Sequence, residues 1–264
     1  TKNNTKPARR KSNLSLLRSS KNKRKKWRPA ELEDQTWFPN WLRAYQMAFL
    51  STLDRITQLY LPVNKLLENI DSERIVDLAS GSGESAMNAT AEMRRSGTKV
   101  LLTDKFPSEH RAKGESHLIE KVDVLESELP DADLYIMINA FHHFDSEERE
   151  LIAKKASHNK SQFLIIEPLR PRVDVFFKVF LATFIGPFLL APFMRPFSFK
   201  WLLLTYAIPL GVLATCWDGL ASVVKSLSQE EWDDLETELT VSGRKVEQGL
   251  LTSRMAKLKY FLVK

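Results

Sequence analysis

The residues best equipped for chemistry begin at 75–85, IVDLASGSGES. An apolar run reaches Asp77 and passes into a turn of small side chains, Ala79, Ser80, Gly81, Ser82 and Gly83, ahead of a helical stretch. Small residues let the backbone approach a ligand closely, and the first turn of a helix aims free N–H groups at it. Phosphate, dinucleotide and nucleoside sites all use such a turn. The Gly-x-x-x-x-Gly-Lys phosphate clamp is absent, which argues against a nucleoside triphosphatase. Asp104 closes the next apolar run, KVLLTD, about twenty residues past the turn. A carboxylate there can accept both hydroxyl hydrogens of an unphosphorylated ribose, in nicotinamide and sulfonium nucleoside sites alike. His142 and His143 follow the apolar run at 132–138, and Glu167 ends the one at 162–167; these are the candidates for moving a proton. No metal centre is expected: with His110 and His117 the pair forms no His-x-x-x-His helix, and the single Cys216 forms no cysteine cluster.

The elements that must position these residues follow from the patterning. Short apolar runs at 75–78, 99–103, 117–122, 132–138 and 162–167 are separated by polar, helix-like stretches. Strand alternating with helix predicts a parallel sheet, because each crossover needs a helix to return the chain to the same edge. Residues 244–251 and 257–264 read as two more strands joined by a turn, an antiparallel finish to the sheet. The fold class is therefore α/β, a Rossmann-like, doubly wound sheet. Before it, residues 37–67 carry Leu42, Tyr45, Phe49, Leu53, Ile56 and Leu59 at helical spacing, and Pro62 is expected to divide them into two helices. The expected organisation is a disordered basic arm at 1–28, capping helices at 29–70, and the main domain at 71–264 with a hydrophobic insert at 171–219.

Composition limits the classes further. A chain of 264 residues, 43% of them hydrophobic, can bury a large core, and one cysteine cannot pair within the chain. A cytoplasmic protein is expected. The formal charge of +6 is uneven: residues 1–28 hold twelve Lys and Arg and no acid, leaving a net charge of −6 on the rest. The arm can contact an anionic membrane or a polynucleotide by charge alone, or simply aid solubility. The acidic body argues against a nucleic-acid substrate. The insert contains two uncharged runs, 179–194 and 201–217, interrupted by Pro187, Pro192, Pro196 and Pro209. Each falls short of the roughly 20 residues that cross a bilayer as a helix. The insert reads as buried helices walling a pocket, as a hairpin dipping into a membrane interface at 173–217, or as a membrane span.

The order Asp77-x-x-x-Gly81-x-Gly83, then Asp104, then Asp123, then DADLYIMINAFHHF resembles the class I S-adenosylmethionine-dependent methyltransferases over residues 75–167. LTDKFP, AFHHF and WDGLASVVKSLSQEE further resemble a bacterial methyltransferase-like group with a similar hydrophobic insert. Ala79 stands where the family has its first glycine, at a backbone angle expected to suit an alanine. The resemblance implies S-adenosylmethionine as cofactor. Asp77, Ala79, Ser80, Gly81 and Gly83 would then hold its methionine part, Asp104 its ribose, and Asp123 would lie near its adenine. Asn139 and Ala140 would line the methyl-donor end.

Methyl transfer from a sulfonium is an in-line displacement that needs alignment and exclusion of water. A base, His142, His143 or Glu167, is needed only when the acceptor must lose a proton. The expected acceptor is small and apolar or lipid-like; the alternative is a catalytically silent cofactor-binding or membrane-associated scaffold. A nicotinamide oxidoreductase is disfavoured because no third glycine follows Gly81 and Gly83.

Overall fold

A computed structural model of the chain describes residues 26–107, 119–158 and 161–264. Most of the basic arm, together with His110 and His117, lies outside these residues. The sheet has seven strands: β1 Arg74–Leu78, β2 Lys99–Asp104, β3 Ile119–Lys121, β4 Leu134–Ile138, β5 Gln162–Glu167, β6 Val246–Thr252 and β7 Lys257–Val263. Their order is β3-β2-β1-β4-β5-β7-β6. The first five pair in parallel, and β7 lies antiparallel to both β5 and β6. The expected fold class is thus the observed one. Every residue of β4 is buried, as a central parallel strand covered on both faces requires.

Helices on the two faces close two cores. On one side α5 (Ser146–Ala156) and α10 (Gln229–Val241) bring Ile152, Trp232, Leu235 and Leu239 against Tyr135, Phe163 and Phe261. Both helices begin with capping boxes, Asp145 with Glu148 and Ser228 with Glu231, which satisfy their first free N–H groups. On the other side α2 (Val63–Leu67), α3 (Glu84–Ala89) and α4 (Ala91–Arg95) pack Val63, Leu67, Ala86, Ala89 and Met93 against Ile75, Leu134 and Leu164.

The leading segment departs from expectation. Residues 29–39 contain no helix, and α1 (Asn40–Thr57) ends five residues before Pro62, with Gln58 in the left-handed region at φ 50°. Leu59 therefore falls outside the helix, and Ile56 points to solvent at 58% exposure. Lys26 and Arg28, the end of the basic arm, are docked: the Lys26 ammonium pairs with Glu231 at 3.0 Å, and Arg28 donates to the carbonyls of His142 and Phe144 at 2.6 and 2.7 Å.

The insert folds as α6 (Val173–Phe184), α7 (Gly186–Leu190), α8 (Phe199–Leu202) and α9 (Leu210–Lys225), with one short 3-10 and one π turn between them. A third core of Tyr45, Phe49, Met194, Trp201 and Leu204 fastens the insert to α1. Close helix approach requires Gly211, where a Cβ would fall 2.5 Å from the Tyr45 ring. The expectation of a buried helix pair does not hold for α6, in which Thr183 is the sole buried residue.

Candidate functional site

The turn after β1 is shaped by three residues in the left-handed region: Ala79 at φ 59°, Gly81 at φ 57° and Gly83 at φ 80°. Ala79 thus adopts an angle that favours glycine, contrary to the expectation from sequence, at a cost of roughly 1 kcal/mol. The turn is tied to β2 through Ser80, whose N–H donates to the Thr103 carbonyl at 2.9 Å and whose hydroxyl accepts from the Thr103 N–H at 3.1 Å. A Cβ on Gly83 would lie 2.5 Å from the Leu102 side chain, and φ 80° strains any side chain there, so this position favours glycine.

Asp104 completes the turn. One carboxylate oxygen accepts the Gly81 N–H at 2.8 Å and the other accepts the Phe106 N–H at 2.7 Å, which fixes the carboxylate at the carboxyl end of β2. Burial raises its pKa, against the lowering effect of these two N–H groups. Asp123 sits beyond β3 and pairs with Lys105 at 2.9 Å. Partial burial raises its pKa, but the Lys105 ammonium and the Leu125 N–H prevail and hold it below the usual range. Asn139, at φ 56°, ends β4, and its side-chain oxygen is buried without a hydrogen-bond partner.

These groups surround a cavity of about 1250 Å³ at the carboxyl ends of β1, β2 and β4, where the strand order reverses direction. Ala79, Ser80, Gly81, Asp104, Asp123, Asn139, Ala140, His142 and His143 line it. Asp77, Gly83 and Glu167 do not: Asp77 is buried beneath the turn, Gly83 packs on Leu102, and Glu167 stands behind His142. The far wall comes from α1, with Met47, Leu50 and Asp54, and from α6, with Val175, Val179 and Ala182. Burial, aided by Glu84 and opposed by a hydrogen bond from Ser85, pushes the Asp54 carboxyl up to about 7.

The two histidines occupy a 3-10 turn, Phe141–His143, and take different partners. The His142 ring is 1% exposed, with Nδ1 lying 3.0 and 3.1 Å from the two Glu167 oxygens. A carboxylate only accepts, so Nδ1 carries the hydrogen, while Nε2 lies 4.0 Å from Glu31. The Glu167 carboxylate also takes the His142 backbone N–H at 3.1 Å. His143 Nδ1 lies 2.6 Å from Glu31 and 2.9 Å from Asp34. Burial lowers the His143 pKa, yet these two acids outweigh it and raise it well above the ordinary value. His143 is therefore an imidazolium at neutral pH.

Sequence reasoning missed Glu31, Glu33, Asp34 and Lys225. The first three lie on the irregular strap at 29–39, and the Lys225 ammonium of α9 reaches Glu31 and Asp34 at 3.2 and 3.3 Å. Asp218, Ser222 and Lys225, on one face of α9, hold the strap: Asp218 accepts the Leu32 and Glu33 N–H groups, and Ser222 donates to Glu31. The only signal was the acid run ELED, whose partners lie more than a hundred residues away. Glu31, His142 and His143 place three ligand-type atoms within 4.8 Å of one another. Lys225 and the His143 imidazolium already balance the charge of Glu31 there, so the chemistry of the group is that of a buried ion pair.

No family model and no curated protein matches the sequence. Among solved structures, the chain is similar to human N-acetylserotonin methyltransferase in complex with SAM, at 17% identity and a TM-score of 0.50, over 84% of this chain and 56% of that one. It also matches the plantazolicin methyltransferase BpumL in complex with SAH, at 13% identity and a TM-score of 0.47, over 85% and 84% of the two chains. The chain thus spans little more than half of the human enzyme. The fold, with the strand order above, is that of the class I methyltransferases.

Proposed function

We propose that the protein transfers a methyl group from S-adenosylmethionine to a small, apolar acceptor. The observation that carries this reading is Asp104, a half-buried carboxylate fixed on the cavity wall at the end of β2 and bonded to the glycine turn beside it. Asp104 would hold the ribose hydroxyls, Gly81 would leave room for the close approach of the nucleoside, and Asp123 would face the adenine. The unpartnered oxygen of Asn139 suits a ligand donor at the end of β4. Asp77 acts through the turn it underlies rather than by contact. When bound, S-adenosylmethionine supplies an electrophilic methyl group.

The chain's own part is to align and to exclude water. The apolar side chains of α1 and α6 make a dry wall for the acceptor, and the cavity exceeds the size common for a single small ligand. For an acceptor that must lose a proton, His142 is the base: Glu167 holds its Nδ1 hydrogen and leaves Nε2 to take one. His143, already charged, holds the strap instead.

Calorimetric titration with S-adenosylmethionine and with its demethylated product tests the reading. Micromolar binding by the intact chain is expected, with a loss of at least roughly tenfold in Asp104→Ala, since a buried hydrogen bond to a charged group is worth about 1.5–3 kcal/mol. A folded chain that binds neither compound would refute the proposal. Binding without turnover on any apolar acceptor would favour the silent scaffold.

A further inference from the structure

The insert has two unlike faces. The inner face of α6 presents Val175, Val179 and Ala182 to the cavity, and the inner face of α9 presents Asp218, Ser222 and Lys225 to the strap. The outer face is apolar and uncovered. On α6 and its continuation, Val173, Phe177, Phe184 and Phe188 recur at helical spacing and are exposed, Phe177 at 60%. On α9 the exposed stripe is Leu210, Leu213 and Trp217, and Leu189, Phe193 and Phe199 fill the span between the two helices. Over the most apolar eighteen residues of 173–193 the mean hydropathy is 1.9 and 11% are buried, so this apolar run is left open.

Charge distinguishes the occupants. From residue 175 to residue 217 the chain has three cations, Lys178, Arg195 and Lys200, and no acid. All three are exposed, but Lys178 pairs with Asp174 at 4.0 Å and lines the cavity, which leaves Arg195 and Lys200 as the cations beside Phe193 and Phe199. Trp217, on the exposed stripe of α9, is 50% exposed, the placement that suits the headgroup level of a bilayer. A second copy docked on this face by a two-fold axis would set cation against cation. The second run of the insert bends by 78° between its two helices and returns to α1 and the strap, which suits a segment lying in the interface plane.

We propose that the outer face of α6–α9 is a docking surface for an anionic lipid bilayer, in which the exposed phenylalanines and leucines enter the acyl boundary while Arg195 and Lys200 meet the headgroups. The docking does not depend on methyl transfer. It places α6 as the wall between the bilayer and the cavity.

Vesicle sedimentation of the full chain tests this, with vesicles of phosphatidylcholine alone and of phosphatidylcholine with phosphatidylglycerol. Binding at least roughly tenfold stronger to the anionic vesicles is expected, given about 1 kcal/mol per basic residue at the surface. The variant Phe177→Asp/Leu189→Asp/Phe193→Asp should lose at least roughly tenfold of that binding while its melting temperature and nucleoside titration stay those of the parent chain. Quenching of tryptophan emission by brominated lipids in the unaltered chain gives a second readout that needs no variant, and it should be strong. Absence of sedimentation with either vesicle, equal binding to both, or equal binding by the variant would each overturn the proposal. So would a concentration-dependent dimer that the same variant dissolves in a chain that ignores vesicles. Nucleoside binding without vesicle binding would sink the docking alone, and vesicle binding without nucleoside binding would sink the methyl-transfer reading alone.

Discussion

Asp77 and Ala79 show how much the site constrains single residues. Burial, with a smaller contribution from nearby Asp104 and against a hydrogen bond from Ser80, pushes the Asp77 carboxyl up to about 8, and one of its oxygens has no hydrogen-bond partner. The folded chain then keeps a proton that the unfolded chain releases above the ordinary value of 3.8. This group's contribution is complete below that value and declines as pH rises to about 8, at about 1.4 kcal/mol per pH unit. The melting temperature of the ligand-free chain should therefore fall across that window, and Asp77→Asn should flatten the fall, measured by calorimetry at several pH values. A neighbouring substitution should act in the favourable direction. Ala79→Gly relieves the left-handed strain at φ 59° and is expected to raise stability by up to about 1 kcal/mol in urea unfolding. A loss of about 1 kcal/mol or more, the full cost of the extra freedom glycine gives the unfolded chain, would show that the strain is absent in solution.

At the scale of elements, the strap at 29–39 is held to α9 and to the histidine turn by charge. Glu31 is fully buried, and although burial raises its pKa, His143, His142 and Lys225 together hold it far below the ordinary 4.5. A carboxyl so depressed contributes stability above pH 4.5 that is lost as pH falls below it. His143, raised above its ordinary 6.5, contributes stability fully below that pH and loses it as pH climbs through the raised value. The pair therefore favours the docked strap across the neutral range. Glu31→Gln should cost about 3–5 kcal/mol, because it leaves two buried cations short of an acid. Urea unfolding measures the loss, and a cost within about 0.5 kcal/mol would place the strap in solvent rather than against α9.

At the scale of the whole molecule, the doubly wound sheet delivers its loops to one end, and the cavity there is closed by α1, the strap and the insert rather than by a separate domain. A nucleoside seated against Asp104 binds only the folded chain, so it should stabilise by about 2.7 kcal/mol at a hundred times its dissociation constant. Thermal unfolding with S-adenosylhomocysteine should show this shift, and Asp104→Ala should abolish it. A shift of equal size in the variant would move the binding site elsewhere.

The sequence by itself determined the sheet and its turn. Strand–helix alternation, the small residues 79–83 and Asp104 at the end of β2 are local signals, each set by residues within one element and its neighbours. Their periodicities of two and 3.6 survive without knowledge of the fold. Other features depended on contacts between distant residues. Pro62 suggested the wrong end for α1, since the left-handed Gln58 closes the helix first. His142 and His143 read as equivalent neighbours, yet Glu167 and the strap acids, contributed by separate segments, assign them opposite roles. The insert read first as buried core and second as interface, because apolar spacing identifies a face without saying what lies opposite it. Only the tertiary structure, by turning Val175 and Val179 toward the cavity and Phe177 and Leu189 toward the outside, decided which surface remains to be covered.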